Sequence, residues 1–294
     1  YSTYMGQEGS NSIVLELTGA KIKPQTKSLV ETRTAEIEFL NSGMNLASGM
    51  VMDDDLSTAV GSYVPFAATS GDVMRYQTGS HVDIRGDHTI VGLSRKIDKK
   101  DGAVYIAPFI EGGWGRYTSH MGDITANGNL NYYGFGVLAH RQHDSGLYYE
   151  GSLHYGRVQS TYNSDDLEGA SSEHYDLTTP YYAVYAGIGK EKKSENGNRI
   201  NIYGKYYYTR EQGDTTTLKS GETYDFNDVT SNRVRLGTRY THAYGSRGET
   251  YAGIAYEYEF SGSADATYKG YKTPDSRLKG GSGMLEVGYK ILPT

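Results

Sequence analysis

The chain has no cysteine, six prolines, one tryptophan and no apolar run approaching twenty residues in its 294 positions. Without cysteine there is neither a disulfide framework nor a thiolate metal site, an absence that suits passage through an oxidising periplasm. Without a long apolar run there is no transmembrane helix. Positive charge is also short: 29 Lys and Arg against 35 Asp and Glu give a net charge of −6. No basic patch dominates, so nucleic acid is not an expected partner. No charged n-region and apolar h-region follow Tyr1, so any export signal is expected to have been removed or to lie in sequence absent here.

What is abundant is glycine (38) and tyrosine (29), nearly a quarter of all positions together. Glycine at this level without a Gly-X-Y period signals many turns or close backbone approach. Tyrosine suits strands and membrane interfaces. The run Tyr251 to Phe260 (YAGIAYEYEF) places Ala252, Ile254, Tyr256, Tyr258 and Phe260 on one face. Gly253, Ala255, Glu257 and Glu259 fall on the other. This alternation returns about ten times, the pattern of a barrel wall with lipid outside and a wet lumen inside. Mean hydropathy is −0.61, which is no objection, because only alternate side chains of such a wall meet lipid.

Strands are expected near 63–75, 86–97, 103–117, 129–142, 147–160, 176–191, 199–210, 230–243, 250–262 and 282–292. The connections at 98–102, 143–146, 192–197 and 244–248 are short and rich in turn residues. Those at 76–85, 118–128, 161–173, 211–229 and 263–281 read as long and polar. Strict alternation of short and long is the rule for an up-and-down outer-membrane barrel, with short periplasmic turns and long extracellular loops.

Facing follows from period two. Val104, Ile106, Pro108, Ile110 and Trp114 meet lipid, against lumenal Glu111. Leu147, Tyr149, Leu153 and Tyr155 oppose Glu150 and His154; Val234, Leu236 and Tyr240 oppose Arg233, Arg235 and Arg239; Leu285, Val287 and Tyr289 oppose Glu286. The pore-lining set is therefore Glu111, Glu150, Arg233, Arg235, Arg239, Glu257, Glu259 and Glu286, with carboxylates expected to pair with arginines or stay hydrated. Pro108 lacks a ladder donor and reads as a bulge or rim position.

Before the strands, Asn11–Lys23 reads as a strand pair closed by Pro24. Ser28-Leu-Val-Glu31 reads as a capping box opening a helix over 28–41, with Asn41-Ser42-Gly43 as its stop. Leu29, Ile37 and Leu40 share its surface with Glu31, Arg33, Glu36 and Glu38. Mixed polarity of that kind fits either a partly buried surface helix or a helix inside a polar pore.

Candidate chemistry is sparse. His81, Asp83, Asp87, His88, His120 and Asp123 gather in or beside the first two polar connections, where an omptin-type protease would activate water. Asp53-Asp-Asp55 lacks the alternate spacing of a calcium loop. His140 and His143 do not have metal-ligand spacing. No metal, cofactor or catalytic constellation is assigned.

Lys27 to Met52 (KSLVETRTAEIEFLNSGMNLASGMVM) and Tyr63 to Asp83 (YVPFAATSGDVMRYQTGSHVD) resemble the helix and first hairpin of AIDA-type autotransporter translocators. Phe109 to Tyr117 and Leu278 to Lys290 match two less specific segments, and the resemblance spans roughly 25–292. It implies a twelve-stranded barrel of the Gram-negative outer membrane. About ten of those strands are visible here, and the lumen holds the helix that leads to an exported passenger. The implied division is 1–25 passenger remnant, 26–61 pore-threading helix and linker, and 62–294 barrel. The chain stops at Ile291-Leu-Pro-Thr294, and a final hairpin ending in an aromatic residue is expected to be missing.

The implied partners are outer-membrane lipid, the chain's own passenger, the barrel-assembly machinery and periplasmic chaperones, around a monomer. The implied protein is not an enzyme, with self-cleavage by lumenal carboxylates left open. The Asn–Asn junction of the self-cleaving group is absent, since the helix start reads Thr26-Lys27-Ser28. An omptin-like protease, a passive porin and a soluble β-sandwich are the alternatives.

Overall fold

The computed structural model describes residues 4–7, 13–16, 22–52, 60–167, 172–244 and 248–291. One helix, α1 (Lys27–Met52), precedes ten long strands. They are β1 (Tyr63–Gln77), β2 (His81–Lys99), β3 (Gly102–Met121), β4 (Ile124–His143) and β5 (Leu147–Ser164). The remainder are β6 (Glu173–Lys193), β7 (Arg199–Glu211), β8 (Val229–Ala243), β9 (Gly248–Glu259) and β10 (Gly280–Ile291). Each pairs antiparallel with its sequence neighbour in one up-and-down sheet, whose outermost members, β1 and β10, do not pair with each other. The sheet is a curled half-barrel, and α1 lies in its hollow, packed against every strand from β1 to β8.

The strand count agrees with the sequence pattern, but the strands run further. β1 to β4 fill most of the first two connections read as long, leaving only 78–80 and 122–123 as turns. Near that rim the outward residues are polar, so the apolar/polar contrast fades there. The inward residues Val82, Ile84, Tyr117 and Ala126 are nonetheless buried, and they keep the ladder going. Long connections remain at 165–172, 212–228 and 260–279, and the last two carry small strands of their own, such as Asp214–Thr217 with Thr223–Phe226. Pro108 is neither bulge nor rim: the β2–β3 register is the same on both sides of it, and the ladder lapses only opposite Ala107 and Pro108.

Facing is as period two dictates. Ile110, Trp114, Leu153, Tyr155, Leu236, Ile254 and Leu285 are exposed on the convex side, while Glu111, Glu150, His154 and Arg233 are buried in the hollow. Tyrosine does not keep to the outer face. Tyr117, Tyr162, Tyr175, Tyr181, Tyr185 and Tyr207 are among the largest fully buried side chains, and all point inward.

The helix differs from expectation at both ends. A 3-10 turn at Pro24–Thr26 leads straight into Lys27, and Ser28 and Glu31 turn away from the backbone to bond with the sheet. No capping box forms. The helix passes through Gly43 and runs for 26 residues, about 39 Å at 1.5 Å per residue. Gly43 is a contact position: a Cβ there would lie 2.2 Å from the Tyr132 hydroxyl. The paired segments before the helix are Tyr4–Gln7 and Ile13–Glu16, so the hairpin begins earlier than the 11–23 expected. Asp53, Asp54 and Asp55 lie outside the described residues.

Candidate functional site

From Ser28 to Met44 every residue of α1 is buried, polar and apolar alike. A helix without a clean apolar stripe buries all round only if its polar atoms find partners, and here the sheet supplies them. At the N-terminal end the Ser28 and Tyr162 hydroxyls are 2.7 Å apart, and Tyr175 donates to the Leu29 carbonyl at 2.6 Å. Lys27 Nζ donates to the Thr78 carbonyl at 2.6 Å and to Ser80 Oγ at 2.9 Å. Glu31 accepts from Thr78 at 3.0 Å and from the Ser80 and Ser119 hydroxyls.

One turn on, Arg33 is fully buried. It donates to Glu36 at 3.2 Å, Thr179 at 3.1 Å, the Gln212 carbonyl at 2.6 Å and the Glu211 carboxylate. Asn41 reaches Ser231 at 3.1 Å and accepts from Thr209 at 2.9 Å. Ser42 donates to Asp72, which lies 3.2 Å from His88. At the C-terminal end Ser48 meets Tyr207 at 2.9 Å, and Lys205 donates to the Ser48 carbonyl at 3.0 Å.

Between these polar contacts the helix packs on apolar ground. Leu29 and Ile37 join Leu218, Tyr224 and Phe226 from the long connection before β8. Leu40 and Phe39 join Val82, Ile84 and Tyr132, and Ala47 and Met50 join Ile90, Phe109 and Leu138. Phe39 sits over Gly86 and Gly115, where any Cβ would collide with its ring. The helix therefore enters among the long connections and leaves towards the short turns, with Thr34 bonded to Ser276 of the 260–279 connection at 2.8 Å.

All eight residues expected to line a pore lie on the hollow side, though only some touch α1. Arg235 donates to Asn45 of the helix at 2.8 Å and to Glu257, which also pairs with Arg233 at 3.2 Å. Both guanidiniums lie over the Tyr207 ring. Glu150 pairs with Lys205 at 2.7 Å. Arg239 is 3.6 Å from Glu286, which is 44% exposed in side chain because β10 is an edge. Three of the five carboxylates find partners other than arginine, Glu150 with Lys205 being the first. Glu111 accepts from Tyr181 at 2.7 Å and lies 3.0 Å from His154 Nδ1, while Glu259 accepts from the amides of Asn232 and Ser261, both at 2.8 Å. Tyrosine hydroxyls and strand-end amides are close enough to serve where no cation is aligned. Beside Asn45, Ser48, Arg235 and Arg239 lies a cavity of about 250 Å³ that reaches Met284 on β10.

Three residues that bond to the helix, Glu211, Tyr162 and Tyr175, are not singled out by the sequence pattern. Glu211 shares the inward parity of Lys205 and Tyr207, so extending β7 by one residue would have found it. Of the candidate protease residues, His88 is buried under the helix against Asp72 and Tyr132. His81, Asp83 and His120 gather on the outer face, but Arg75 holds both oxygens of Asp83, at 2.6 and 2.7 Å. Neither group is arranged to activate a water against a bound chain.

The family model of the autotransporter beta-domain matches residues 59–293. The chain belongs to that family. Solved autotransporter domains share its fold. The translocator domain of NalP from Neisseria meningitidis aligns with a TM-score of 0.66 at 16% identity over 91% of this chain and 88% of that one. The beta domain of the Bordetella autotransporter BrkA gives 0.60 at 19% identity over 78% and 98%, and the transport unit of AIDA-I from Escherichia coli 0.53 at 16% over 92% and 88%. No curated protein sequence matches. As an autotransporter β-domain the chain is an outer-membrane translocator of Gram-negative bacteria, acting in type V secretion of a passenger. No arrangement described above favours an omptin-type protease or a passive porin.

Proposed function

We propose that α1 is the tether of the exported passenger, held in the translocator lumen after export, and that 26–61 comprise this helix and its linker. Residues 62–294 are then the membrane anchor, and 1–25 the junction to the passenger. The observation that carries this reading is the burial of α1 on every face, with its N-terminus among the long connections and its C-terminus at the short turns. In that orientation a chain preceding Lys27 emerges on the outer side. Leu29, Arg33, Ile37 and Leu40 hold the helix, while Arg233, Arg235, Arg239, Glu257 and Glu286 line the space beside its lower half. Glu111, Glu150 and Glu259 brace the wall. Two further strands bridging β10 and β1 would close the ring around it. Delivery by periplasmic chaperones and insertion by the barrel-assembly machinery fit such a wall, and the domain works without catalysis on other molecules.

Because the chain has no cysteine, a single introduced thiol reports on the tether. Ala35 and Ala47 are fully buried. Ala35→Cys and Ala47→Cys are expected to resist a maleimide in the folded protein in detergent and to react only after heat denaturation. Rapid labelling of both in the folded state would remove the tether from the lumen.

A further inference from the structure

The outer face carries arginines at a consistent height. On β3 the lipid-facing residues from Val104 to Trp114 are apolar or glycine, and Arg116 follows at the next outward position. Ten residue steps at about 3.4 Å, tilted by about 40°, span roughly 25 Å along the membrane normal, the height of a barrel's apolar band. Arg116 therefore stands at the outer edge of the hydrocarbon, on the side of the long connections. Arg75 on β1, Arg157 on β5 and Arg210 on β7 occupy equivalent places, two residues beyond Val73, Tyr155 and Tyr208.

Arg75 and Arg210 are answered by Asp83 and Asp228. Arg85 and Arg116 are not. They are direct cross-strand partners on β2 and β3, both exposed, and neither has an ion pair or hydrogen bond among the described residues. Asp87, the next outward residue on β2, is opposite Trp114 and pairs with neither arginine. Like charges placed directly opposite each other disfavour the sheet unless an anion sits between them. Two guanidinium forks carried at paired positions of adjacent strands match phosphate oxygens. Thr118, one outward position further up β3, adds a hydroxyl, and Trp114 with Ile110 forms an apolar floor below.

We propose that Arg85 and Arg116 bind the phosphate of an outer-leaflet glycolipid, whose acyl chains lie along Trp114 and Ile110. The apolar floor selects a lipid over a free anion, which has no use for it. The site rests on the membrane-spanning reading of the sheet.

The test uses the full chain refolded in detergent, with bisphosphorylated lipid A, dephosphorylated lipid A and inorganic phosphate as separate probes. Lipid retained through gel filtration is quantified by mass spectrometry. The phosphorylated lipid is expected to be retained, with about tenfold weaker retention in Arg85→Gln/Arg116→Gln. Arg85→Lys/Arg116→Lys keeps charge without the forks and falls between. Lys99→Gln at the opposite rim leaves retention unchanged. Equal retention of the dephosphorylated lipid, or retention of inorganic phosphate equal to that of the phosphorylated lipid, overturns the proposal, as does full retention by the glutamine variant. Failure of the wild-type chain to insert into phospholipid vesicles at all would instead overturn the membrane-spanning reading.

Discussion

Arg33 is the residue on which the lumen's electrostatics turn. It brings one full charge into a site with no exposure, facing two carboxylates, Glu36 on its own helix and Glu211 on β7. A buried pair contributes little relative to an apolar one, but breaking it leaves an uncompensated charge. Arg33→Met strands both carboxylates and is expected to destabilise the folded domain by about 3–5 kcal/mol. Glu211→Gln keeps an acceptor for the guanidinium, removes one of the two negative charges and is expected to cost about 1–2 kcal/mol or less. The midpoint of heat-dependent gel mobility separates them. Equal losses from the two variants would mean that packing, and not charge, places Arg33.

At the scale of elements, what holds the long connections over the helix is a set of local clamps. Asp228, just before β8, accepts from the Gly213 amide at 2.7 Å and from Arg210 Nε at 3.0 Å. The amide bond first, and then the guanidinium, hold its carboxyl below the usual carboxylate range. A depressed folded value means that the clamp contributes fully above the unfolded pKa of about 4 and is lost as pH falls through the folded value. Protection of the Gly213 amide, its exchange rate taken relative to the intrinsic rate at each pH, should therefore be flat above about pH 4 and fall below it. Asp228→Asn should remove that step; an unchanged profile would place the clamp elsewhere.

Legibility at this scale divides along contrast. The strands were readable wherever lipid meets one face and the hollow the other, because period two is then sharp. They were unreadable at 76–85 and 118–128, where outward residues such as Arg85, Thr118 and Asn127 are as polar as a loop. The helix could be read in type but not in length, since Gly43 looks like a stop until Tyr132 is seen beside it. The inward charges followed from parity. Their partners did not, because Tyr181 reaches Glu111 across strands far apart in sequence.

For the whole molecule the decisive question is what covers the convex face. Leu153 is 56% exposed and stands between Val137 and Val184 on the neighbouring strands, all facing outward at mid-height. If water covered this face, Leu153→Arg would be close to neutral, as surface substitutions usually are. With lipid there, an arginine near the bilayer midplane costs about 2–4 kcal/mol, falling to about 0–1 near the interface. The same substitution at Tyr149, four residues nearer the short turns and also exposed, should therefore cost less. Unfolding in phospholipid vesicles is expected to order the variants as Leu153→Arg well below Tyr149→Arg, with the gap narrowing in short-chain detergent. Identical stabilities in vesicles would mean that the convex face does not span a bilayer. The observed depth order would give the sheet its membrane position independently of the helix, so that the wall and its occupant rest on separate measurements.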